Sequence, residues 1–208
     1  MRHFGYKNSG FTLAEILITL GIVGVVAAMT IPTLMMNYQA KIWEARLKKA
    51  YSVSVNACER MLVEENVSAS NETRIYSNVN NDVVKRYFKV LRDGENVADR
   101  GFLIALPDGA DLYFNSVAAD ATNGPGFNFY VDVNGAASNP NQAGRDLFEF
   151  NLDRNCTYIY TEEGASDEAR DFKYVVDHNW VLPDNPNDYQ NAGDNVVPAE
   201  NEDEEEGN

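Results

Sequence analysis

The sequence predicts an α+β fold, in which a long N-terminal helix packs on a C-terminal antiparallel β-sheet. Two observations lead to this prediction. Apolar residues are densest near the N-terminus, and a helical pattern continues from there to about residue 65. From about residue 100 onward, apolar and polar residues alternate with a period of two between turn-forming residues. A helix laid across one face of an antiparallel sheet is a stable two-layer arrangement for such a pattern.

The length and charge of the chain limit its architecture and its partners. The 208 residues suffice for one N-terminal anchor and one modest globular domain. The formal net charge of −15 argues against nucleic acid as a partner. Residues 199–208 hold a run of carboxylates that repel one another, and we expect a disordered acidic tail there. The α+β globular head is then expected over residues 71–198.

The first helix begins with a segment that is suited to a membrane. Residues 1–10 are short, polar and basic, which predicts a leader peptide with a cytoplasmic N-terminus. The 21 residues from Ile16 to Met36 carry no charge. A helix of this length is about 30 Å long, the thickness of a bilayer's hydrocarbon core. We therefore expect a single membrane-spanning helix over residues 11–37, with the head outside the cytoplasm.

A carboxylate, Glu15, stands at the edge of this charge-free span. An ordinary secretory signal has a shorter apolar core that is followed by small residues at the cleavage site, and residues 25–27 offer only a weak site of that kind. A plain signal anchor fits the length of the span but gives no reason for an acid there. Because a charge inside a bilayer is costly, Glu15 is interpreted as a functional residue.

The residues around Glu15 resemble the N-terminal segment of the type IV prepilin family, which includes the pseudopilins of type II secretion. The matching sequence is Gly10-Phe11-Thr12-Leu13-Ala14-Glu15, with the apolar run directly after it. The resemblance covers about residues 8–40. In this family a membrane peptidase cuts after the glycine, so the resemblance implies cleavage between Gly10 and Phe11 and N-methylation of Phe11. It also implies that Glu15 supports subunit assembly.

The resemblance implies partners and a location as well. The partners are the prepilin peptidase, other pilin or pseudopilin subunits in a homo- or heteropolymer, and an assembly platform in the inner membrane. The location is the bacterial inner membrane, followed by a periplasmic or cell-surface filament. Filaments for secretion, adhesion, motility and DNA uptake share this N-terminus, so the segment does not distinguish between these machines.

Elementary electrostatics supports the same role for Glu15. Cleavage would leave an ammonium group on Phe11. A lone carboxylate in a dry helical bundle is strongly destabilising, and pairing with the Phe11 ammonium of a neighbouring subunit removes much of that cost. Such a pair forms well only when the subunits are in register. The alternative is that Glu15 merely extends to the lipid headgroups.

Three residues within the apolar run are unusual for a helix interior. Gly21 and Gly24 each lower helix propensity by about 1 kcal/mol in water, but glycine lets the helices of a bundle approach one another closely. Pro32 removes one backbone donor, and we expect a kink or a melted turn near it. Such a turn would let the helix adjust between the bilayer and a filament.

The helix is expected to continue as an amphipathic half over residues 38–70. Residues 38–65 contain neither glycine nor proline, which favours an unbroken helix. Apolar and small residues recur at helical spacing on one face of this segment, namely Ile42, Leu47, Ala50, Ser54, Ala57, Cys58 and Met61. The helix from Phe11 to about Glu65 would then be roughly 80 Å long.

The head shows the alternation that is typical of an antiparallel sheet. Turn-forming residues separate its apolar runs. The predicted strands are residues 102–106, 111–114, 127–133 and 147–152, with weaker candidates at 157–160 and 172–176. Between the first helix and the sheet, residues 81–91 are predicted to form a short helix. The many aromatic residues of the head are interpreted as sheet core rather than as a ligand-binding face.

The two cysteines of the chain, Cys58 and Cys156, lie far apart in the sequence. If the head is outside the cytoplasm, a disulfide between them would close a long loop. Two buried thiols are the alternative. The sequence leaves both open, because it does not give the Cα separation that a bridge requires.

One loop, residues 132–146, is rich in hard oxygen ligands. Its Asp and Asn side chains, Asp132, Asn134, Asn141 and Asp146 among them, are of the type that calcium prefers. Pseudopilins of the secretion type carry a calcium site in a C-terminal loop, so the resemblance supports calcium as a candidate cofactor. The alternative is a metal-free turn, in which Asp and Asn side chains bond to their own backbone and Asp146 pairs with Arg145 or another base.

No motif in the sequence predicts catalysis. The two histidines are His3, in the leader, and His178, and a lone histidine builds neither a zinc site nor a catalytic triad. We therefore expect a structural subunit, a pilin or pseudopilin that polymerises through residues 11–65, and not an enzyme. The alternative is a membrane-anchored extracytoplasmic binding protein that does not polymerise.

Overall fold

The computed structural model describes residues 11–98, 100–117, 125–138, 141–161 and 165–183. The predicted leader at residues 1–10 and the predicted acidic tail at residues 199–208 lie outside this part of the chain. The chain divides into two compact units, Met1–Ile42 and Trp43–Asn208, and each is described by itself.

The first element is one continuous helix, α1, from Leu13 to Glu65. Its residues contribute to both units. Pro32 lies inside the helix, and the helix continues without a break on both sides of it, so a melted turn near Pro32 does not form. Hydroxyl side chains bond back to the preceding turn in the apolar part, as Thr30 does to the carbonyl of Val26 at 3.0 Å. A single long N-terminal helix is therefore confirmed. It ends at Glu65, as the pattern of residues 38–65 predicted, so the boundary at residue 70 for its amphipathic half is wrong.

In the first unit, the apolar side chains of α1 are exposed. Leu17, Leu20 and Met29 keep 62%, 63% and 74% of their surface accessible. Among the described residues, α1 is the helix that is long and apolar enough to cross a membrane, by its length and composition. The described part of the chain therefore leaves these apolar side chains of the first unit uncovered.

In the second unit, α1 buries one face against the sheet. The predicted apolar positions are nearly inaccessible to solvent at Leu47, Ala50, Ala57, Cys58 and Met61. The hydroxyl of Ser54 is buried on the same face and donates to the carbonyl of Ala50 at 2.9 Å, so no polar group is left unsatisfied there.

Helix α1 ends in a left-handed turn. Asn66 has a φ of 52°, a conformation that asparagine tolerates better than most residues. The N–H of Val67 then bonds to the carbonyl of Leu62 at 3.1 Å, which satisfies an end carbonyl of the helix. A 3-10 turn at Ser70–Glu72 and a short helix, α2, at Arg74–Ser77 follow; the sequence pattern predicted neither.

The predicted short helix forms as α3, Asn81–Tyr87, and is shorter than expected. Asn80 begins it, because its side-chain oxygen accepts the N–H groups of Asp82 and Val83 at 3.1 Å each. It ends because Phe88 is extended, with φ −112° and ψ 135°. The predicted continuation to residue 91 is therefore wrong, since the backbone beyond Phe88 turns toward the sheet.

The head contains a six-stranded antiparallel sheet whose strands follow one another in chain order. The strands are β1 Glu95–Val97, β2 Gly101–Ala105, β3 Asp111–Val117, β4 Gly126–Asp132, β5 Leu147–Leu152 and β6 Tyr158–Ile159. The α+β fold class is thereby confirmed. β1 was not predicted, because three residues that are mainly exposed give no clear alternation.

Residues 172–176, predicted as a weak strand, instead belong to a helix, α4, Asp167–Asp177. The strand prediction was wrong because the apolar run is part of a helical face. Ser166 caps this helix through its hydroxyl, which accepts the N–H of Ala169 at 3.1 Å. Phe172 and Val175, three residues apart, are both fully buried.

The core lies between α1 and one face of the sheet and is largely aromatic. Phe129 stacks on Phe150 with ring centroids 5.1 Å apart, and Phe150 stacks on Phe172 at 4.9 Å. Tyr51 of α1 meets Phe150 edge-on at 5.3 Å. The aromatic residues named here are core residues, as the sequence predicted.

Cys58 and Cys156 form a disulfide, with their Cα atoms 5.7 Å apart. It joins α1 to the turn between β5 and β6. Of the two alternatives that the sequence left open, the structure contains the bridged one. Both cysteines are buried, with 1% and 3% of their surface exposed. The bridge closes a loop of 98 residues, so it constrains the unfolded chain strongly.

Candidate assembly segment and acidic loop

The N-terminus of α1 is closed by a reciprocal pair, Thr12 and Glu15. The N–H and the hydroxyl of Thr12 donate to Glu15 Oε2 at 2.8 and 2.9 Å. The N–H of Glu15 in turn donates to the Thr12 hydroxyl at 3.3 Å. This is a capping box, in which two backbone donors that the helix leaves free are satisfied. Thr12 was not singled out by the sequence reasoning, although the spacing Thr-x-x-Glu is a known signal for this arrangement.

Of the predicted cleavage residues, Gly10 lies outside the described part of the chain and Phe11 lies inside it. Phe11 is 86% exposed, directly before the capping box. Glu15 lies in the first turn of the helix and is hydrogen-bonded to Thr12. A side chain added at Gly21 or Gly24 would meet no atom within 4 Å, so these positions leave space for a neighbouring helix.

In the second unit, charged residues of α1 hold distant parts of the head. Arg46 donates to the carbonyl of Val133 at 2.9 Å, at the start of the acidic loop. Lys49 forms an ion pair with Asp108 at 2.9 Å. The carboxylate of Glu44 accepts the N–H of Leu182 at 3.1 Å. The sequence did not predict these contacts, because the partners are far away along the chain.

The acidic loop, residues 132–146, closes around the carboxylate of Asp146. Asp146 is completely buried. Its oxygens accept the side-chain N–H of Asn134 at 2.8 Å and the backbone N–H groups of Asn141 and Gln142 at 2.8 and 2.6 Å. A carboxylate with this many N–H donors is well stabilised without a basic side chain. N–H groups of the loop thus stabilise Asp146, the role that the metal-free alternative assigned to Arg145 or another base.

Asp132 is the second buried carboxylate of the loop, with 1% of its surface exposed. It accepts the N–H of Asn134 at 3.3 Å. The amide of Asn141 is best assigned with its nitrogen toward Asp132 Oδ2, at 2.9 Å. Burial raises the pKa of Asp132 to about 6, and the nearby charge of Asp146 adds to this increase.

The four predicted calcium ligands, Asp132, Asn134, Asn141 and Asp146, are therefore brought together in one loop. Their carboxylate and amide oxygens are of the type that calcium binds. A cation would also offset the electrostatic repulsion between the two buried carboxylates. Several of these oxygens already accept N–H groups of the loop. Calcium binding accordingly stays a prediction.

His178 packs on a neighbouring side chain of its own helix end. His178 stacks on Tyr174 with ring centroids 3.8 Å apart, and its Nδ1 lies 2.8 Å from the carbonyl of Tyr174. Within the described residues, no group of three or more His, Cys, Asp or Glu side chains is placed to hold a metal ion. The arrangement that is suited to function is the capped, exposed apolar segment at the N-terminus.

These features define a class of protein: an α+β protein with an N-terminal helix that is apolar enough to anchor it in a membrane in a single pass. Residues 6–31 match the family model of the prokaryotic N-terminal methylation motif. This motif is the signature of type IV prepilin-like proteins, and the match confirms the resemblance seen in the sequence. The matched segment includes Gly10, Phe11 and Glu15. No curated protein and no solved structure shows significant similarity to the chain.

Proposed function

We propose that the chain is a structural subunit, a pilin or pseudopilin, that is cut between Gly10 and Phe11 and assembled into a filament of the type IV pilus or type II secretion kind. The observation that carries the proposal is the junction itself. Gly10 and Phe11 lie within the methylation motif at residues 6–31, and Glu15 follows at the start of an exposed apolar helix.

The cut supplies the group that Glu15 needs as a partner. Hydrolysis after Gly10 leaves an ammonium on Phe11, and methylation keeps its positive charge. In a bundle of helices with little water, the carboxylate of Glu15 is stable only beside such a charge. Processing and assembly are then coupled, because the uncut chain does not have the ammonium.

The capping box gives Glu15 a partner before assembly. Oε2 accepts two hydrogen bonds from Thr12, which lowers the cost of placing the carboxylate near the bilayer. A carboxylate has about four acceptor positions, so the ammonium of a neighbouring Phe11 adds to these bonds and need not replace them. Thr12 is therefore proposed to orient Glu15 toward the next subunit.

The exposed apolar surface of α1 supports polymerisation. Large side chains such as Leu17, Leu20 and Met29 remain more than half exposed in the first unit. Water does not tolerate a continuous apolar surface of this size, so it must be covered by lipid or by other helices. Lipid covers it in the membrane-anchored precursor, and neighbouring subunits cover it in the filament. The head is then located outside the cytoplasm.

A second candidate is a membrane-anchored binding protein that does not polymerise. The observation that favours it is the same capping box, because Thr12 satisfies Glu15 without a second chain. Filament incorporation separates the two candidates. Neither candidate requires an active site, and a non-enzymatic function is part of the proposal.

The acidic loop is proposed as a calcium site in either case. Asp132, Asn134, Asn141 and Asp146 would hold the ion, which would neutralise the charge of the two buried carboxylates. The donation of Arg46 to Val133 fixes one end of this loop to α1. Calcium would then stiffen the loop without taking part in a reaction.

The proposal is tested by expressing the full chain together with a prepilin peptidase. We expect a loss of mass that corresponds to residues 1–10, and a further increase of one methyl group on Phe11 when the enzyme also methylates. Gly10→Ala is expected to abolish the loss, whereas the matched leader variant Gly5→Ala is expected to retain it. A precursor that stays uncut in the presence of active peptidase would contradict the proposal.

A further inference from the structure

The full sequence contains three Asn-x-Ser/Thr motifs, at Asn66, Asn71 and Asn155. This pattern is the acceptor signal for N-linked glycosylation, in which the hydroxyl residue is required two positions after the asparagine. All three motifs belong to the head. Two of them, those of Asn66 and Asn155, also carry an acidic residue two positions before the asparagine, Glu64 and Asp153 respectively. The structure distinguishes these two from the third.

Asn155 lies at the tip of the turn between β5 and β6. Its side chain is exposed, and so is that of Thr157, the hydroxyl residue of its motif. Asp153 shapes the turn: one of its oxygens accepts the backbone N–H groups of Asn155 and Thr157, both at 2.8 Å. The acid and the two acceptor-motif residues are thus presented together on a tight, exposed turn.

Asn66 is the first residue after α1. Its side chain is exposed, and its left-handed backbone turns the chain away from the helix. Ser68, the hydroxyl residue of this motif, is exposed as well. The first and third positions of the motif are therefore both accessible, as they are at Asn155.

The motif of Asn71 is built into the fold instead. Thr73 is completely buried, and its hydroxyl donates to the carbonyl of Ser70 at 2.6 Å. The side-chain oxygen of Asn71 is buried too. A transferase that must contact the hydroxyl residue has no access to it in the folded head, so Asn71 is an internal control.

The segment that follows Asn66 contacts the turn that carries Asn155. The N–H of Ser70, in the segment that follows Asn66, donates to the carbonyl of Arg154 at 2.8 Å. The Ser70 hydroxyl also reaches the carbonyl of Asp153 at 3.4 Å. This turn leads directly into β6, the last strand in the order of the described sheet.

We propose that Asn155 and Asn66 are N-glycosylation acceptors and that glycans cover this end of the head. The co-substrate is an oligosaccharide on a polyprenyl diphosphate, supplied with an oligosaccharyltransferase. The asparagine nitrogen forms a bond to the anomeric carbon, and the bond from that carbon to the diphosphate oxygen breaks. The electron pair leaves with the diphosphate, and the amide loses one proton to a base of the enzyme. The proposal rests on the proposed function in one respect, the location of the head outside the cytoplasm.

The test uses the full chain, purified in detergent micelles. It is incubated with a lipid-linked oligosaccharide and an oligosaccharyltransferase of the class that requires an acid two positions before the asparagine. Intact mass and peptide mapping are expected to show one glycan on Asn155 and one on Asn66. Asn155→Gln and Asn66→Gln are each expected to remove one glycan, and Asn71→Gln to remove none. Thr157→Ser is expected to retain modification, whereas Thr157→Ala is expected to lose it.

Two outcomes would overturn the proposal: no glycan on Asn155 and Asn66, or a glycan on Asn71 of the folded chain. A second arm of the experiment uses the reduced, unfolded chain. Glycosylation that occurs only in the unfolded chain would also contradict the proposal that these asparagines are acceptors on the folded head. The same protein preparation is treated with prepilin peptidase, so that failure of cleavage and failure of glycosylation are read separately.

Discussion

The two halves of helix α1 have the same backbone structure and opposite surroundings. In the first unit, Leu17 and Leu20 are 62% and 63% exposed, whereas Leu47 in the second unit is fully buried. In both halves, the backbone N–H and C=O groups form the hydrogen bonds of the helix. In the second unit, the chain itself buries one face of the helix. In the first unit, the exposed apolar side chains require other molecules to cover them. Lipid, or the neighbouring subunits of the proposed filament, would meet this requirement.

The charged groups of the two halves differ in the same way. Glu15 bonds to Thr12, three residues away. In the head half, Arg46 reaches Val133 and Glu44 reaches Leu182, which are 87 and 138 residues away. Because Glu15 bonds to a residue of its own turn, its carboxylate can still bond to a second chain. The distant partners of Arg46 and Glu44 instead stabilise the fold of the head.

The largest expected effect in the head comes from its disulfide. Cys58→Ser with Cys156→Ser should lower the free energy of unfolding by about 4 kcal/mol, because the bridge closes a loop of 98 residues. Denaturant unfolding, followed by the fluorescence of Trp43 and Trp180, measures the change. Reduction of the native chain should give the same loss, and an unchanged midpoint would mean that the bridge does not constrain the unfolded state.

The comparison between the two halves of α1 predicts a large contrast for one chemical change. Leu47→Ala should cost about 3 kcal/mol, because it opens a cavity in the core. The matched change Leu17→Ala should alter the unfolding of the head by less than about 0.5 kcal/mol, because Leu17 belongs to the first unit and its side chain is 62% exposed. The same fluorescence measurement applies to both. Equal losses would contradict the division into two independent environments.

Asp171 is expected to make the head less stable as pH rises. Burial raises its pKa to about 7, and the nearby charges of Asp167 and Glu168 add to this increase. The unfolded chain releases this proton near pH 4, whereas the folded head retains it until about pH 7. Stability therefore falls between these values and levels off above them. Asp171→Asn should stabilise the head by about 2 kcal/mol at pH 8.

The control for this pH effect is Asp93→Asn, since Asp93 is an exposed carboxylate that pairs with Lys85. Its unfolding profile against pH should match that of the native chain. A profile for Asp171→Asn that keeps the full native slope would show that Asp171 does not titrate in this range.

Calcium is expected to have the smallest effect. A calcium ion that binds only the folded head, present at ten times its dissociation constant, would add about 1.4 kcal/mol to the free energy of unfolding by mass action. Thermal melting of the full chain in micelles, with and without chelator, measures this. Asp132→Asn should abolish the shift, and Asp93→Asn should retain it. Identical melting curves for the native chain under both conditions would remove the loop as a calcium site.

The sequence predicted the fold where the pattern was long or strongly alternating. The end of α1 and the strands β2 to β5 were found because apolar period and turn residues agree there. α4 was missed because Phe172 and Val175 were taken as alternating strand residues, although Ser166 signals a helix start. β1 has too few buried residues to show a period.

For the candidate site, the sequence singled out residues that lie close together along the chain. Gly10, Phe11 and Glu15 are recognisable because their spacing is short and fixed. Thr12 was overlooked although its Thr-x-x-Glu spacing was visible. Arg46 was not predictable, since its partner Val133 is brought close only by folding. The partners of Asp146 were backbone N–H groups, which no pattern of side chains shows.

The most direct test of the central claim is the fate of a Glu15→Val variant in cells that contain the peptidase and the assembly platform. We expect the variant to be cut after Gly10 as efficiently as the native chain, yet to be absent from sheared filaments, because the Phe11 ammonium has no carboxylate partner. Gln at the same position, which keeps the size but not the charge, should behave likewise. Normal filaments from either cleaved variant would contradict the account.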